Sequence, residues 1–245
     1  MLERIRDSQI RAASANRLTK QIGPFVAMLS LHDDLPWINY AVPNGGVSDE
    51  FLGPLEAFFR EHKRRPRFEF FPDLAPELEG LLLARGYTKQ GQLPLMVCDA
   101  SSFQPVTGVP VEVLSASDDL TILGGTVRRA FGSEEPPNEE EIATTREGLE
   151  SGRMRAALAR VDGVPAGGAY TVGDAMICEL AGVGTLPEFR RRGVASSASS
   201  ALMQEHFRNP DTLVWLSAGD DVAKAVYERL GFKVIGTQLN YIQDN

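Results

Sequence analysis

Residues 181 to 196 read AGVGTLPEFRRRGVAS, a strand that gives way to a tight Arg- and Gly-rich turn and then opens a helix. That order builds an anion site. The backbone N–H groups from Arg191 through Gly193 and Val194 to Ala195 point the same way at the helix start, where the helix dipole also favours negative charge. A pyrophosphate fits there: Gly193 admits a bulky ligand close to the backbone, Ala195 keeps the entrance narrow, and Arg190, Arg191 and Arg192 neutralise charge around it. Ser196 and Ser197 add hydroxyl donors. Three arginines in a row also read as a solvated loop, so the turn alone does not decide its use. No GxxxxGK[ST] occurs, and the Gly182-x-Gly184 pair lacks the third glycine of a dinucleotide fingerprint, so a nucleotide-binding α/β protein finds little support.

Other reactive types are sparse. Cys98 and Cys178 lie far apart in apolar runs and read as buried, inert thiols, while His32, His62 and His206 share no ligand spacing, so the expected metal is none.

The elements around the turn alternate strand and helix. AMICELAGVGT reads as a long strand, GVASSASSALMQEHF as a helix with Val194, Ala198 and Leu202 on one face, and TLVWLS as a buried strand. DDVAKAVYERL follows as a helix that Gly231 stops, and FKVIGTQLNYI closes the sheet. Upstream, VEVLS, two helices (DDLTILGGTVRRAF and EEEIATTREGLES) and a hairpin turning at Asp162-Gly163 complete the half. Before it, PFVAMLSL, PWINYAVP, RFEFF and YTKQGQLPLMVC read as strands, SDEFLGPLEAFFREH and APELEGLLLAR as helices, and the N-terminus as a surface helix.

The chain has 245 residues, enough for two domains. The segment SSFQPVTGVP, residues 101 to 110, has linker composition, so the division is expected at 1–105 and 106–245. RFEFF-helix-ARGYTKQGQLPLM in the first part matches VWLS-helix-RLGFKVIGTQLNY in the second, placing Gly86-Tyr87 on Gly231-Phe232, and this echo reads as a tandem duplication. Charge divides unevenly. Residues 1–105 hold 12 Lys+Arg against 13 Asp+Glu, and residues 106–245 hold 13 against 20, for net charges of −1 and −7. The acidic second half argues against nucleic acid and suits a cationic or amine partner. No apolar run is long enough to cross a bilayer, and Glu3 and Asp7 interrupt any transit peptide, so no membrane partner and a cytoplasmic location are expected.

Two blocks together resemble a known family. Arg190-x-x-Gly193-x-Ala195 matches the Arg/Gln-x-x-Gly-x-Gly/Ala signature of the GNAT acetyltransferase superfamily, and DDVAKAVYERLGF resembles that family's last helix through Ala223, Tyr227, Gly231 and Phe232. Asp220 stands where many members carry Asn and caps a helix equally well. The resemblance runs from Val111 to the C-terminus. It implies an α/β fold with a mixed, mostly antiparallel sheet flanked by helices. The first half lacks the arginine turn and has Leu82 where the second has Tyr227, so it reads as a degenerate copy.

The resemblance also implies an activity: transfer of an acetyl group from acetyl-CoA, as acyl donor, to an amine, without metal. Acetyl-CoA would lie between the strand ending at Thr185 and the strand of Trp215, with a bulge at Val183, Gly184 and Thr185 binding the pantetheine amides and an N–H holding the oxyanion. Glu179, four residues before Val183 and placed on the same face, is a candidate base, or equally a structural or substrate-binding carboxylate. Tyr227 is the candidate acid for the thiolate; a packed core tyrosine is the alternative. Glu134 and Glu135, in the connection that lines the acceptor site in this family, are candidate acceptor contacts. The acceptor is a small-molecule or peptide amine, and a homodimer is allowed. A CoA-binding regulatory module without turnover remains the other reading.

Overall fold

The computed structural model describes residues 1–243. The chain divides into two compact units, Met1–Leu95 together with the chain from Ile235 on, and Met96–Val234.

The first unit opens with α1 (Leu2–Ser14) and then runs β1 (Leu18–Ile22), β2 (Phe25–Leu29), β3 (Tyr40–Pro43), α2 (Leu52–Glu61), β4 (Arg67–Phe70), α3 (Leu78–Ala84) and β5 (Tyr87–Asp99). PWINYAVP does not form one strand: Pro36–Ile38 is a single 3-10 turn, which the proline at its first position favours, and extension begins only at Tyr40. β1 is a strand the sequence does not announce, because three of its five residues are exposed and no apolar alternation marks it. Its pairing with the fully buried β2, from Leu18↔Leu29 to Ile22↔Phe25, imposes the extended form.

The second unit contains β6 (Val111–Leu114), α4 (Leu120–Ala130), α5 (Glu139–Glu150), β7 (Met154–Val161), β8 (Val164–Gly173), β9 (Ile177–Thr185), α6 (Val194–His206), β10 (Leu213–Ser217) and α7 (Asp221–Arg229), followed by β11 (Lys233–Gln243). Local chemistry sets its helix starts. Asp119 accepts from Thr121 N at 3.0 Å. Asn138 and Glu141 form a reciprocal capping box, and Asp220 accepts from Ala223 N at 2.7 Å. The β7–β8 hairpin turns at Asp162 and Gly163, whose φ values of 53° and 80° are those of a two-residue turn that suits the twist of the strands.

Strand order is β1-β2-β3-β4-β11-β5 in the first unit and β5-β10-β9-β8-β7-β6 in the second. The sheet is mixed and mostly antiparallel, with β3–β4 and β9–β10 parallel. The unit bounds differ from a cut after residue 105. Leu239 to Ile242 of β11 pair with Phe70 to Arg67 of β4, and such a long-range pairing leaves no local mark in the sequence. The 101–110 segment is no free linker either: Val106 N and Val109 N donate to Ser200 Oγ and Ser197 Oγ of α6 at 2.9 and 3.2 Å.

The echo between the halves is structural as well. Both β4-α3-β5 and β10-α7-β11 are strand-helix-strand units. Gly86 and Gly231 follow their helices at φ 77° and 97°, and Tyr87 and Phe232 behind them are buried.

In the second unit, alternate strand residues feed two cores. Ala157, Ala159, Cys178 and Leu180 pack against Val194, Ala198, Leu202 and Met203 of α6 and against Tyr227 of α7, whereas Ala156 and Leu158 meet Leu123 and Val127 of α4 on the other face. Leu202 and Met203 have no exposure, and burial of each stabilises the seating of α6 by roughly 1.5–3 kcal/mol.

Candidate active site

The site begins with a break in register. β8 and β9 pair Gly167↔Thr185 and Gly168↔Gly184, then Tyr170↔Ala181, so Gly182 and Val183 together face the single residue Ala169. This is a bulge, and Gly182 supplies the left-handed backbone it needs at φ 58°. The bulge therefore lies at Gly182–Val183, and Gly184 and Thr185, expected within it, are back in register. Its extra residue also shifts the alternation of side chains. Val183 packs with Cys178 and Leu180 in the α6/α7 core, so Glu179 does not share its face but looks to the α4 side.

β9 and β10 pair in parallel only at Leu213↔Ile177, Val214↔Cys178 and Trp215↔Glu179. Beyond that last pair β9 runs on to Thr185 and β10 to Ser217, so the strands part at Glu179 and Trp215 and leave an opening bordered by the bulge. Glu179 is half-buried at its apex, beside a Trp215 that is fully buried and whose Nε1 has no hydrogen-bond partner among the described residues.

The chain leaves β9 through a single turn at Pro187–Phe189 and enters α6 through the arginines. Arg191 at φ 62° and Gly193 at φ 80° both take the left-handed conformation. For a non-glycine residue this costs about 1–2 kcal/mol, a strain of the kind that concentrates at functional sites. Ser197 N to Gly193 O, at 2.9 Å, is the first bond of the helix, and no side chain caps it, so among the described residues the N–H groups of Gly193, Val194, Ala195 and Ser196 have no main-chain acceptor.

All three arginines are exposed. Arg190 reaches the Thr185 carbonyl at 3.5 Å and Arg192 meets Asp162 at 3.3 Å, whereas Arg191 has neither a hydrogen bond nor an ion pair among the described residues. Ser196 Oγ donates to Gly193 O at 3.0 Å, but Ser197 is buried and its Oγ is taken by Val109 N, which removes it from the turn. The Val194 side chain is buried in the core and seats the helix. Gly167 lets it do so, since a Cβ there would collide with Val194 and the Gly184 carbonyl.

Tyr227, on α7, is 8% exposed, stands edge-on to Phe232 at 5.7 Å, and gives its hydroxyl to no group among the described residues. Burial, then the charge of Asp220, pushes its pKa up to about 12, which keeps the phenol protonated. It belongs to the α6/α7 core, so Tyr227 and Glu179 approach the sheet from opposite faces. Glu134 and Glu135 are exposed and lie 3.9 Å from Arg129 and 3.7 Å from Arg128. Burial raises the thiols of Cys98 and Cys178 to about 11 and about 12, as unreactive interior cysteines. Among the described residues no group of three or more His, Cys, Asp or Glu side chains could hold a metal, and no helix is long and apolar enough to cross a membrane.

The model of the FR47-like protein family matches residues 172–241, which span β9, the arginine turn, α6 and α7. A GCN5-related N-acetyltransferase from Kribbella flavida superposes with a TM-score of 0.79 at 24% identity, covering 100% of this chain and 96% of that one. A GCN5-related N-acetyltransferase from Sphaerobacter thermophilus gives 0.63 at 15% identity, over 90% of this chain and 76% of that one. A tandem GNAT protein from the clavulanic acid biosynthesis pathway gives 0.60 at 16% identity, over 89% and 77%. No curated protein matches. The bulged strand, the arginine turn and the doubled strand-helix-strand unit thus sit in the fold of the GNAT superfamily, in tandem form.

Proposed function

We propose that the second unit is an N-acyltransferase that moves the acetyl group of acetyl-CoA to a primary amine, by direct attack through a tetrahedral intermediate. The observation that carries this reading is the union, on one connection, of a bulge at the edge of an opened sheet and a strained arginine turn at an uncapped helix start. The donor's pyrophosphate would rest on the N–H groups of Gly193 to Ser196, with Arg190, Arg191 and Arg192 around it. Its pantetheine arm would follow Val183, Gly184 and Thr185 into the opening, where the backbone of Gly182 and Val183, out of register with β8, offers polar groups to amides and to the oxyanion.

Glu179, at the apex on the α4 face, would take a proton from the ammonium. The free amine then attacks the thioester carbon, the C–S bond breaks as the intermediate collapses, Tyr227 gives its proton to the departing thiolate from the other face, and the remaining surplus proton on the amide nitrogen passes through water to the tyrosinate. A phenol held protonated by burial suits that task. The acceptor is a small-molecule or peptide amine, with Glu134 and Glu135 at the margin of its site.

Acceptor-dependent release of CoA against pooled primary amines, with mass spectrometry of the products, tests the proposal. Release with an acetylated product is expected; tight acetyl-CoA binding without release for any amine would favour a regulatory module instead.

A further inference from the structure

The α4 face of the opening carries an aromatic group that neither packing nor the reaction above explains. Phe131, the residue closing α4, is 67% exposed. It does not dangle at random: a Cβ built on Gly184 would lie 3.4 Å from Phe131 Cε2 and 2.9 Å from Ala130 Cβ, so α4 is drawn down onto β9 and sets the ring beside the bulge. At Gly182 a Cβ would lie 2.8 Å from the Tyr170 ring, so both side-chain-free positions of β9 carry aromatic rings above them. Trp215, paired with Glu179, leaves the sheet on the same side. The α4 face of β9 from Glu179 to Gly184 therefore carries aromatic rings along its length, of which Phe131 is the exposed one.

The charged groups around Phe131 engage one another: Glu134 and Glu188 face Arg129 at 3.9 Å each, and Glu135 and Glu141 face Arg128 at 3.7 and 2.5 Å. What is left unpartnered is apolar surface.

Resting on the acyltransfer reading, we propose that Phe131 sets acceptor specificity and that the acceptor is a primary amine bearing an apolar alkyl or aryl body. The ammonium sits at Glu179 and the apolar part lies against the Phe131 ring.

The test uses the full chain, saturating acetyl-CoA and straight-chain amines from ethylamine to hexylamine. For the parent protein kcat/KM should rise by about fourfold per methylene while the chain lies on the ring. Phe131→Ala should flatten that rise, Phe131→Leu should keep most of it, and both should retain acetyl-CoA affinity. In a Trp37→Phe background, which leaves Trp215 as the only tryptophan, hexylamine should shift the emission of Trp215. A flat series in the parent or an equal slope in Phe131→Ala would overturn the proposal while leaving acyl transfer intact. Acetyl-CoA binding with no amine acetylated would instead remove the acyltransfer reading, and this inference with it.

Discussion

Two helix starts in this molecule answer the same scaffold differently. In the first unit β3 leads into α2 and on to a parallel β4; in the second β9 leads into α6 and on to a parallel β10. Each helix opens at the end of a strand, where N–H groups and dipole favour an anion. Before α2, however, stand Asp49 and Glu50, with Asp49 held below the usual carboxylate range by its hydrogen bond to Arg85 at 2.7 Å. Before α6 stand three arginines and two left-handed residues. One start carries acidic side chains just ahead of it, with Asp49 held by Arg85, and the other is surrounded by exposed arginines. The last helices diverge in the same way: α3 buries Leu82 where α7 buries Tyr227. The fold repeats, but the chemistry does not, because chemistry resides in a few side chains on a shared frame.

The two units differ most in chemistry at Tyr227. Tyr227→Phe keeps the ring against Phe232 and removes only the proton donor, so kcat should fall about 100- to 10,000-fold with acetyl-CoA affinity nearly unchanged. Since burial raises this phenol to about 12, the parent's kcat should show no loss from tyrosine ionisation up to about pH 10. Steady-state kinetics across pH checks both statements, and an unaltered rate would make Tyr227 the packing equivalent of Leu82.

Arg191 sharpens the anion-site half of the comparison. Arg191→Ala should weaken acetyl-CoA binding by roughly tenfold, as expected for one exposed charge-assisted contact to phosphate. Arg85→Ala, at the other helix start, should not change it. Titration calorimetry distinguishes the two.

The smallest effect concerns stability. His206, buried near the end of α6, has a pKa lowered by burial and then by the charge of Arg155. The unfolded chain takes up a proton near pH 6.5 that the folded site resists. This group's contribution is therefore complete above that pH and is lost as pH falls through it, at up to about 1.4 kcal/mol per pH unit. Chemical denaturation between about pH 5 and 8 should show that slope, and His206→Gln should reduce it.

Much of this frame is legible in the sequence, for physical reasons. The anion turn, the Asp220 cap, the Asp162-Gly163 hairpin and the Gly231 stop are set by residues a few positions apart, and local sequence carries them. β1 is not legible, because partner β2 makes it a strand. Nor is the phase shift at Gly182, which turns Val183 away from the face of Glu179: a glycine inside an alternating strand signals a bulge but not which neighbours lose register. The crossing of the chain between units within β5 and β11 is likewise a matter of pairing between distant segments, as are the places of Trp215 and Phe131 beside the opening.

The central claim is that one helix start of the two binds the acyl donor. Calorimetric titration of the full chain with acetyl-CoA, for the parent and for Gly193→Glu, tests it most directly. The parent should bind one acetyl-CoA per chain, and at about 100-fold excess over Kd its Tm should rise by roughly 5–10 °C. In Gly193→Glu, a carboxylate and a side chain at φ 80° should abolish both signals. Gly193→Ala, which adds only backbone strain, separates loss of the site from loss of the fold. Two equivalents per chain, or an undiminished Tm shift in a folded Gly193→Glu protein, would contradict the account.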